Sequence, residues 1–295
     1  MPVCGRDDMV SPTRTRIYNG IHRPALRWHG GKFAMRATLL SLLPPHVCFV
    51  EPYGGAGSII LSKEPSGIDV YNDLDMEVVN FFQVLRERSE ELLQKIYLTP
   101  YSRAEQLRSH LPTDDLLESA RRFYVRSIQS FGGPTRGCSS GWRYVRDLQS
   151  RASPIRKWNK MDHLWAVVHR LKQIHIECKP ALETIHRFDG TATLFYCDPP
   201  YLPATRSVMK AYRHEMTESD HIALAETLNS VEGLAMLSGY DSDLYQRLYK
   251  GWHKVTKSIS INSGKKAIEC IWLSPKAALN NAQAQILLPL DNHAD

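Results

Sequence analysis

Two consecutive prolines constrain this chain more than any other feature. Pro199 and Pro200 follow Asp198 and close an apolar run, Thr193-Leu194-Phe195-Tyr196-Cys197, with the composition of a buried strand. Neither proline carries an N–H for a strand ladder, so the chain must leave its sheet there. A carboxylate, free backbone carbonyls and the Tyr201 ring are thereby gathered at a strand's C-terminal end. In open α/β sheets, ligands bind outside such ends. The group suits a planar, amino-bearing base. The carboxylate and a carbonyl accept the two amino hydrogens, and the ring stacks on the base. Taken alone, the four residues are equally compatible with a proline-rich turn in which Asp is a turn former. The rest of the chain decides.

Upstream, Pro24 to Lys32 reads as a loop ending in Gly30-Gly31-Lys32, with a helix from about Phe33 to Leu43 stopped by Pro44-Pro45. Val47 to Glu51 reads as a short buried strand, Gly54-Gly55-Ala56-Gly57 as a glycine turn, and Ser58 to Lys63 as the start of a helix. Gly67 to Tyr71 is the next strand, ending in Asn72-Asp73, and residues 75–95 carry the apolar spacing of one amphipathic helix. Strand, glycine turn, helix, strand, acid, helix is a βαβ unit. Helical stretches at about 102–110, 114–130 and 160–173 then flank a Gly/Ser/Arg-rich loop, Phe131 to Ser153. Strands resume at 174–178 and 193–197, followed by a helix at about 217–231 and a strand at 234–238. His253–Ile261 and Ala267–Leu273 read as a terminal antiparallel hairpin. From Pro275 the chain reads as a polar, loosely held tail.

The 295 residues allow one large domain or two modest ones, and the 43% apolar share supports a substantial core. No apolar run approaches the roughly 18–20 residues that span a bilayer. The first 20 residues hold no apolar stretch of a secretory signal, and residues 1–23 read as a flexible tail. The six cysteines form no C-x-x-C pair, and no His lies at zinc-ligand spacing from them. They read as buried reduced thiols of a cytoplasmic protein, with no metal site. Residues 121–160 carry a net +9, which leaves the remainder at −3 out of +6 for the whole chain. Phe123, Tyr124, Phe131, Trp142, Tyr144 and Trp158 interleave with these cations. A basic block with stacking rings fits a nucleic acid better than a solvated face.

Phe49 to Ser58 is not a dinucleotide fingerprint, but its glycines follow a strand and let the backbone approach a ligand without Cβ clashes. No basic group sits in the turn to neutralise phosphates. Glu51 would repel a pyrophosphate and attract an ammonium, favouring a cofactor with a cationic amino group such as S-adenosylmethionine. Asp73 stands where an acid accepts from ribose hydroxyls in nucleotide-binding βαβ units, and a turn or N-cap role fits it equally well.

These blocks, in this order, resemble the Dam family (D12 class) of DNA adenine-N6 methyltransferases, and most closely its phage- and prophage-borne members. The resemblance runs from about Leu26 to Leu273. It is carried by Trp28-His29-Gly30-Gly31-Lys32, by Phe49 to Ser58, by Tyr71-Asn72-Asp73 and by Phe195 to Tyr201, with a basic segment inserted before the last. It implies a Rossmann-like α/β methyltransferase sheet with a terminal antiparallel hairpin and an inserted, mainly helical target-recognition domain. The boundaries would be residues 24–96 and 174–275 for the catalytic domain, 97–173 for the insert and 276–295 for the tail.

The implied activity is methyl transfer from S-adenosyl-L-methionine (AdoMet) to the N6 amine of a flipped adenine in double-stranded DNA. Asp198, Pro199, Pro200 and Tyr201 would be catalytic. Trp28, Gly30, Lys32, Glu51, Tyr53, Gly55, Gly57, Asp73 and Asp198 would surround the cofactor. Tyr53 departs slightly from the Phe usual in the family. Arg136, Trp142, Arg143 and Arg146 of the insert, with Arg206 and Tyr212 after the prolines, are candidate DNA contacts. Leu237-Ser238-Gly239-Tyr240 is a candidate border of the base pocket, and plain packing fits it equally. The alternatives are a cytosine-N4 methyltransferase, whose motif more often begins with Ser, and an inactive DNA-binding relative.

Overall fold

The computed structural model describes residue 18 and residues 20–131, 133–134, 141–144, 153–202, 213–260 and 266–287. Seven strands form one sheet: β1 (Cys48–Glu51), β2 (Ile68–Asn72), β3 (His175–Glu177), β4 (Thr193–Cys197), β5 (Leu234–Gly239), β6 (His253–Ser260) and β7 (Lys266–Leu273). Their spatial order is β3-β2-β1-β4-β5-β7-β6. The first five are parallel, and β7 runs antiparallel between β5 and β6. The chain steps outward from β1 to β2 and β3, then returns to place β4 on the other side of β1. That reversal opens a crevice beyond the C-terminal ends of β1 and β4, where an open α/β sheet binds its ligand.

Strands β1, β4 and β5 are buried at every residue, because helices cover both sheet faces. Leu194 and Tyr196 face one core with Phe49, Tyr71 and Met236, while Phe195 and Cys197 face the other with Val50, Ala235 and Leu237. A continuous apolar run rather than alternation is therefore the expected pattern for β4.

A short 3-10 turn over Lys32–Met35 leads into α1 (Arg36–Ser41). The amphipathic stretch after β2 is two helices, α2 (Met76–Glu87) and α3 (Ser89–Leu98), broken where Arg88 leaves helical geometry at φ −130, ψ 44. The segment assigned to the insert holds α4 (Arg103–Arg108), α5 (Leu116–Gln129), α6 (Pro154–Trp158) and α7 (His163–Leu171). Its apolar residues join the core of the sheet: Phe123 and Tyr124 of α5 pack on Phe81 of α2, with ring centroids 5.9 and 5.8 Å apart. Helix α8 (Ala181–Phe188) precedes β4, and α9 (Glu218–Ser230) and α10 (Asp243–Leu248) flank β5.

Three expectations are corrected. Residues 275–287 are not a loose tail: α11 (Pro275–Leu287) begins with proline at its first position, buries Ala277, and ties Asn281 Nδ2 to the Leu42 carbonyl at 3.2 Å, and the rest of the expected tail lies outside the described residues. Ile21 to Arg23 do not belong to a flexible tail either. Ile21 is buried, and Arg23 donates to the carbonyls of Lys160 and Lys157 at 2.8 and 3.1 Å. Ser58 to Lys63 form hydrogen-bonded turns rather than a regular helix, because the Ile60 N–H donates to a Glu51 carboxylate oxygen at 2.9 Å. Cysteines 48, 197 and 270 are buried free thiols as expected, and Cys178 is half-buried. No helix of the described residues is long and apolar enough to cross a membrane.

A buried charge cluster joins the insert to the sheet. Asp69 on β2 receives Lys63 Nζ at 2.8 Å and Arg170 Nη2 of α7 at 2.5 Å. Burial pushes the Asp69 carboxyl up, but the two cations outweigh it and hold it below its ordinary value. Burial lowers Lys63 to about 8. Removing the shared anion leaves two buried cations uncompensated, so Asp69→Asn is expected to destabilise the fold by about 3–5 kcal/mol. Urea unfolding checks this, and an unchanged midpoint would show that the cluster carries no net stability.

Candidate active site

Beyond Glu51, the last residue of β1, the chain makes a tight glycine turn against β2. Gly54 N–H donates to the Asn72 carbonyl at 2.8 Å, Asn72 Nδ2 donates to the Pro52 carbonyl at 2.9 Å, and Tyr71 Oη donates to the Gly55 carbonyl at 2.7 Å. Glycine is required at two of these places. A Cβ on Gly54 would lie 2.2 Å from the buried Tyr71 ring. Gly55 has φ +48, and its Cβ would lie 2.7 Å from Trp28 Nε1.

The turn, β2 and β4 frame a cavity of about 360 Å³. That is within the roughly 300–1,000 Å³ of small-molecule sites. Trp28, Lys32, Tyr53 and Gly55 line it together with three acids, Glu51, Asp73 and Asp198. Pro200 reaches its wall, while Gly30, Gly57, Pro199 and Tyr201 stand outside the lining. Asp73 accepts the N–H groups of Gly55 at 2.7 Å and Asp75 at 2.8 Å, one on each carboxylate oxygen. Burial still raises it to about 6. Burial also pushes Glu51 well above the ordinary carboxyl range, and the charges of Asp198 and Asp73 add to the shift. Burial is the main cause in all three acids, so a cationic ligand that favours their charged forms is suited to the cavity.

Asp198 is held from the opposite side. Lys32 Nζ lies 2.8 Å from Asp198 Oδ1 and 3.4 Å from Glu269 Oε1, and donates to the Gly30 carbonyl at 2.9 Å. The Gly30 backbone adopts φ 71 there. Tyr201 Oη has one proton to give: Glu269 Oε1 is its nearer acceptor, and Asp198 Oδ1 lies 3.2 Å away. Burial raises the Asp198 carboxyl and Lys32 partly offsets it, leaving it above its ordinary value. The Asp198 side chain keeps 19% exposure, against 6% for Lys32 and 3% for Glu269.

Two expected roles look different in this geometry, and one residue is new. Tyr201 is buried behind the carboxylates, with Lys32 Nζ 4.8 Å from its ring centroid and Tyr240 packed edge-on at 4.7 Å. Its ring is packed rather than presented to the cavity. Lys32 meets the carboxylate as closely as it lines the cavity. Glu269 was not singled out from sequence, although a lone acid within the apolar run Ala267–Leu273 is itself a signal, since a buried charge requires a partner.

The basic block is partly structural. Arg121 pairs with Glu118 and Glu105 at 2.7 and 2.9 Å, Arg122 pairs with Glu118 at 2.8 Å, and buried Arg126 pairs with Glu77 at 2.9 Å. These cations are neutralised inside the fold. Trp142 packs in the loop, stacked on Tyr144 at 5.7 Å and tilted against Tyr101 at 5.6 Å. Arg143 is held by its backbone, its N–H on the Gln129 carbonyl and its own carbonyl accepting from Tyr101 Oη at 2.5 Å. Close by, Arg27 Nη1 donates to the Ser130 carbonyl at 2.8 Å. Arg136, Arg146, Arg206 and Tyr212 lie outside the described residues. No group of three or more His, Cys, Asp or Glu among the described residues could hold a metal ion.

The chain is similar to known proteins along most of its length. The family model described as D12 class N6 adenine-specific DNA methyltransferase matches residues 28–263. Among curated proteins, the chain is 26% identical over 287 residues to a DNA adenine methylase of Escherichia coli K12, covering 89% of this chain and 99% of that protein. A Salmonella typhi DNA adenine methylase is 26% identical over 267 residues, with 83% and 92% covered. One from Vibrio cholerae is 24% identical over 265 residues, with 84% and 94% covered.

The turn geometry gives a direct test. Gly54→Ala forces either the turn or the Tyr71 ring to move, and overpacking of this kind costs about 1–3 kcal/mol. Chemical denaturation is expected to show that loss. A variant as stable as the parent would contradict the close packing of turn and ring.

Proposed function

The chain belongs to the D12 class N6 adenine-specific DNA methyltransferases, and on that premise we propose that it takes the methyl group from AdoMet and places it on a flipped adenine of duplex DNA. It is an adenine-specific DNA methyltransferase. The finer reading is carried by one observation: Asp198 stands at the β1/β4 reversal, on the wall of an acid-lined cavity, with its side chain still partly open.

The cavity suits AdoMet in charge and form. Its three acids favour a ligand with cationic centres, and Glu51 is the candidate partner of the amino group. Gly55 allows a close backbone approach beside Trp28. Asp73 accepts one N–H on each oxygen, and a carboxylate oxygen has capacity for a second donor, so ribose hydroxyls can still bind there. When bound, AdoMet supplies an electrophilic methyl on a sulfonium.

An exocyclic amino nitrogen is a poor nucleophile because its lone pair is delocalised into the ring. Asp198 accepts one amino hydrogen and the Pro199 carbonyl the other, which draws electron density onto nitrogen. Asp198 need not remove a proton before attack, since the amine becomes acidic only as the new bond forms. Positioning and fixed electrostatics supply most of the acceleration. The amine is buried in a duplex, so the base must leave the stack at a cost of a few kcal/mol. Residues 97–173 are the proposed target-recognition segment. Arg27 and Arg143 beside the end of α5 are the proposed phosphate or base contacts, because neither is neutralised by a described acid.

Two outcomes are expected. Asp198→Ala removes the amine's acceptor and should abolish formation of N6-methyladenine, measured in digested DNA, while DNA affinity persists. Near-normal turnover would reject Asp198 as the acceptor. Asp73 titrates at about 6, so its carboxylate is progressively lost below that pH. AdoMet affinity measured calorimetrically should therefore weaken as pH falls through 6, by up to roughly tenfold one unit lower. Asp73→Asn should bind more weakly at pH 8 and flatten that dependence. A flat profile in the parent chain would remove Asp73 from the cofactor site.

A further inference from the structure

Asp198 Oδ1 is met by Lys32 Nζ at 2.8 Å and by Tyr201 Oη at 3.2 Å. A target amine on either Asp198 oxygen therefore meets a carboxylate whose charge the ammonium already draws on. Lys32 and Tyr201 each have a second acceptor within reach, and it is the same atom. Lys32 Nζ lies 3.4 Å from Glu269 Oε1, and Tyr201 Oη already donates to it. Glu269 is buried on β7, and its strand neighbours Cys270, Ile271 and Trp272 are fixed in the two cores. It is therefore a fixed anion beside a movable ammonium.

We propose that Glu269 is a positioning residue of the methyl-transfer reaction: already the nearer acceptor of the Tyr201 hydroxyl, it also receives the Lys32 ammonium, so that Asp198 is released to hold the target amine. No bond is made or broken in this step; an ion pair shifts by one partner and the charge of the site is conserved. Without Glu269, a Lys32 that left Asp198 would keep the Gly30 carbonyl but no anion, at the cost of an unpaired buried charge. With Glu269 present, the ammonium exchanges one carboxylate for another whose oxygen already lies 3.4 Å from it. The inference rests on the reading of Asp198 as the amine's acceptor.

The test is Glu269→Gln in the full chain, with turnover and AdoMet and DNA dissociation constants measured separately. Gln keeps the shape and an acceptor for Tyr201 but removes the charge. Turnover is expected to fall at least about tenfold with both dissociation constants within about twofold of the parent. In a Lys32→Met background the same substitution should cost less than about twofold, because the ammonium it serves is gone. A purely structural role would give additive losses, and additivity overturns the proposal. So does normal turnover, or a loss confined to binding. Should Glu269→Gln not fold, Lys32→Arg decides: a guanidinium that grips both carboxylates cannot release Asp198, so turnover at saturating AdoMet should drop. Parent-like turnover in that variant overturns the proposal. Asp198→Ala run alongside separates the two ideas, since activity in that variant overturns the acceptor reading itself.

Discussion

The ion pair between Lys32 and Asp198 organises the site. It joins the turn after Gly30, the end of β4 and, through Glu269, the antiparallel strand β7. These segments are far apart in sequence, and a buried ammonium is tolerable only where anions surround it. Pro199 and Pro200 end β4 at the sheet reversal and leave Asp198 facing the crevice rather than continuing the ladder. Gly30 at φ 71 turns its carbonyl toward Lys32 as a third acceptor. The same contacts that stabilise the lysine thus fix where the reactive carboxylate stands.

Around that pair the chain concentrates buried carboxyl groups. Glu51 is anchored by the Ile60 N–H and Asp73 by the N–H groups of Gly55 and Asp75. These backbone donors hold the acids in place without neutralising them, so the cavity keeps its preference for cations. Positive charge is used differently. Arg121, Arg122, Arg126 and Arg170 pair within the fold, and the last binds α7 to β2 through Asp69. Arg27 and Arg143 converge at the end of α5, where a polyanion can reach them.

Most of the sheet was legible in the sequence because buried parallel strands announce themselves as short apolar runs. Thr193–Cys197 matched its strand residue for residue, and the hairpin of β6 and β7 was visible from its two β-rich runs. Helix α8 was not, although Pro180 stands at its N-cap, nor was the break at Arg88, which no proline or glycine marks. Helix α11 was missed because its polar composition hides how few residues dock: buried Ala277 and the contact of Asn281 with Leu42. At the site, local motifs found Trp28, Lys32, Glu51, Asp73 and Asp198, which share one cavity. What stayed hidden was tertiary pairing. Neither the capture of Lys32 by two carboxylates nor the neutralisation of Arg121 and Arg126 by distant acids follows from local pattern, because sequence shows charges and not their partners.

The most direct measurement is a crystal structure with S-adenosylhomocysteine and a duplex carrying the methylation site, read at the oxygens of Asp198. The account predicts the extrahelical adenine's N6 within hydrogen-bond distance of Asp198 and of the Pro199 carbonyl, with Lys32 Nζ moved onto Glu269. An adenine amine bound elsewhere, with Lys32 still paired to Asp198, would contradict it.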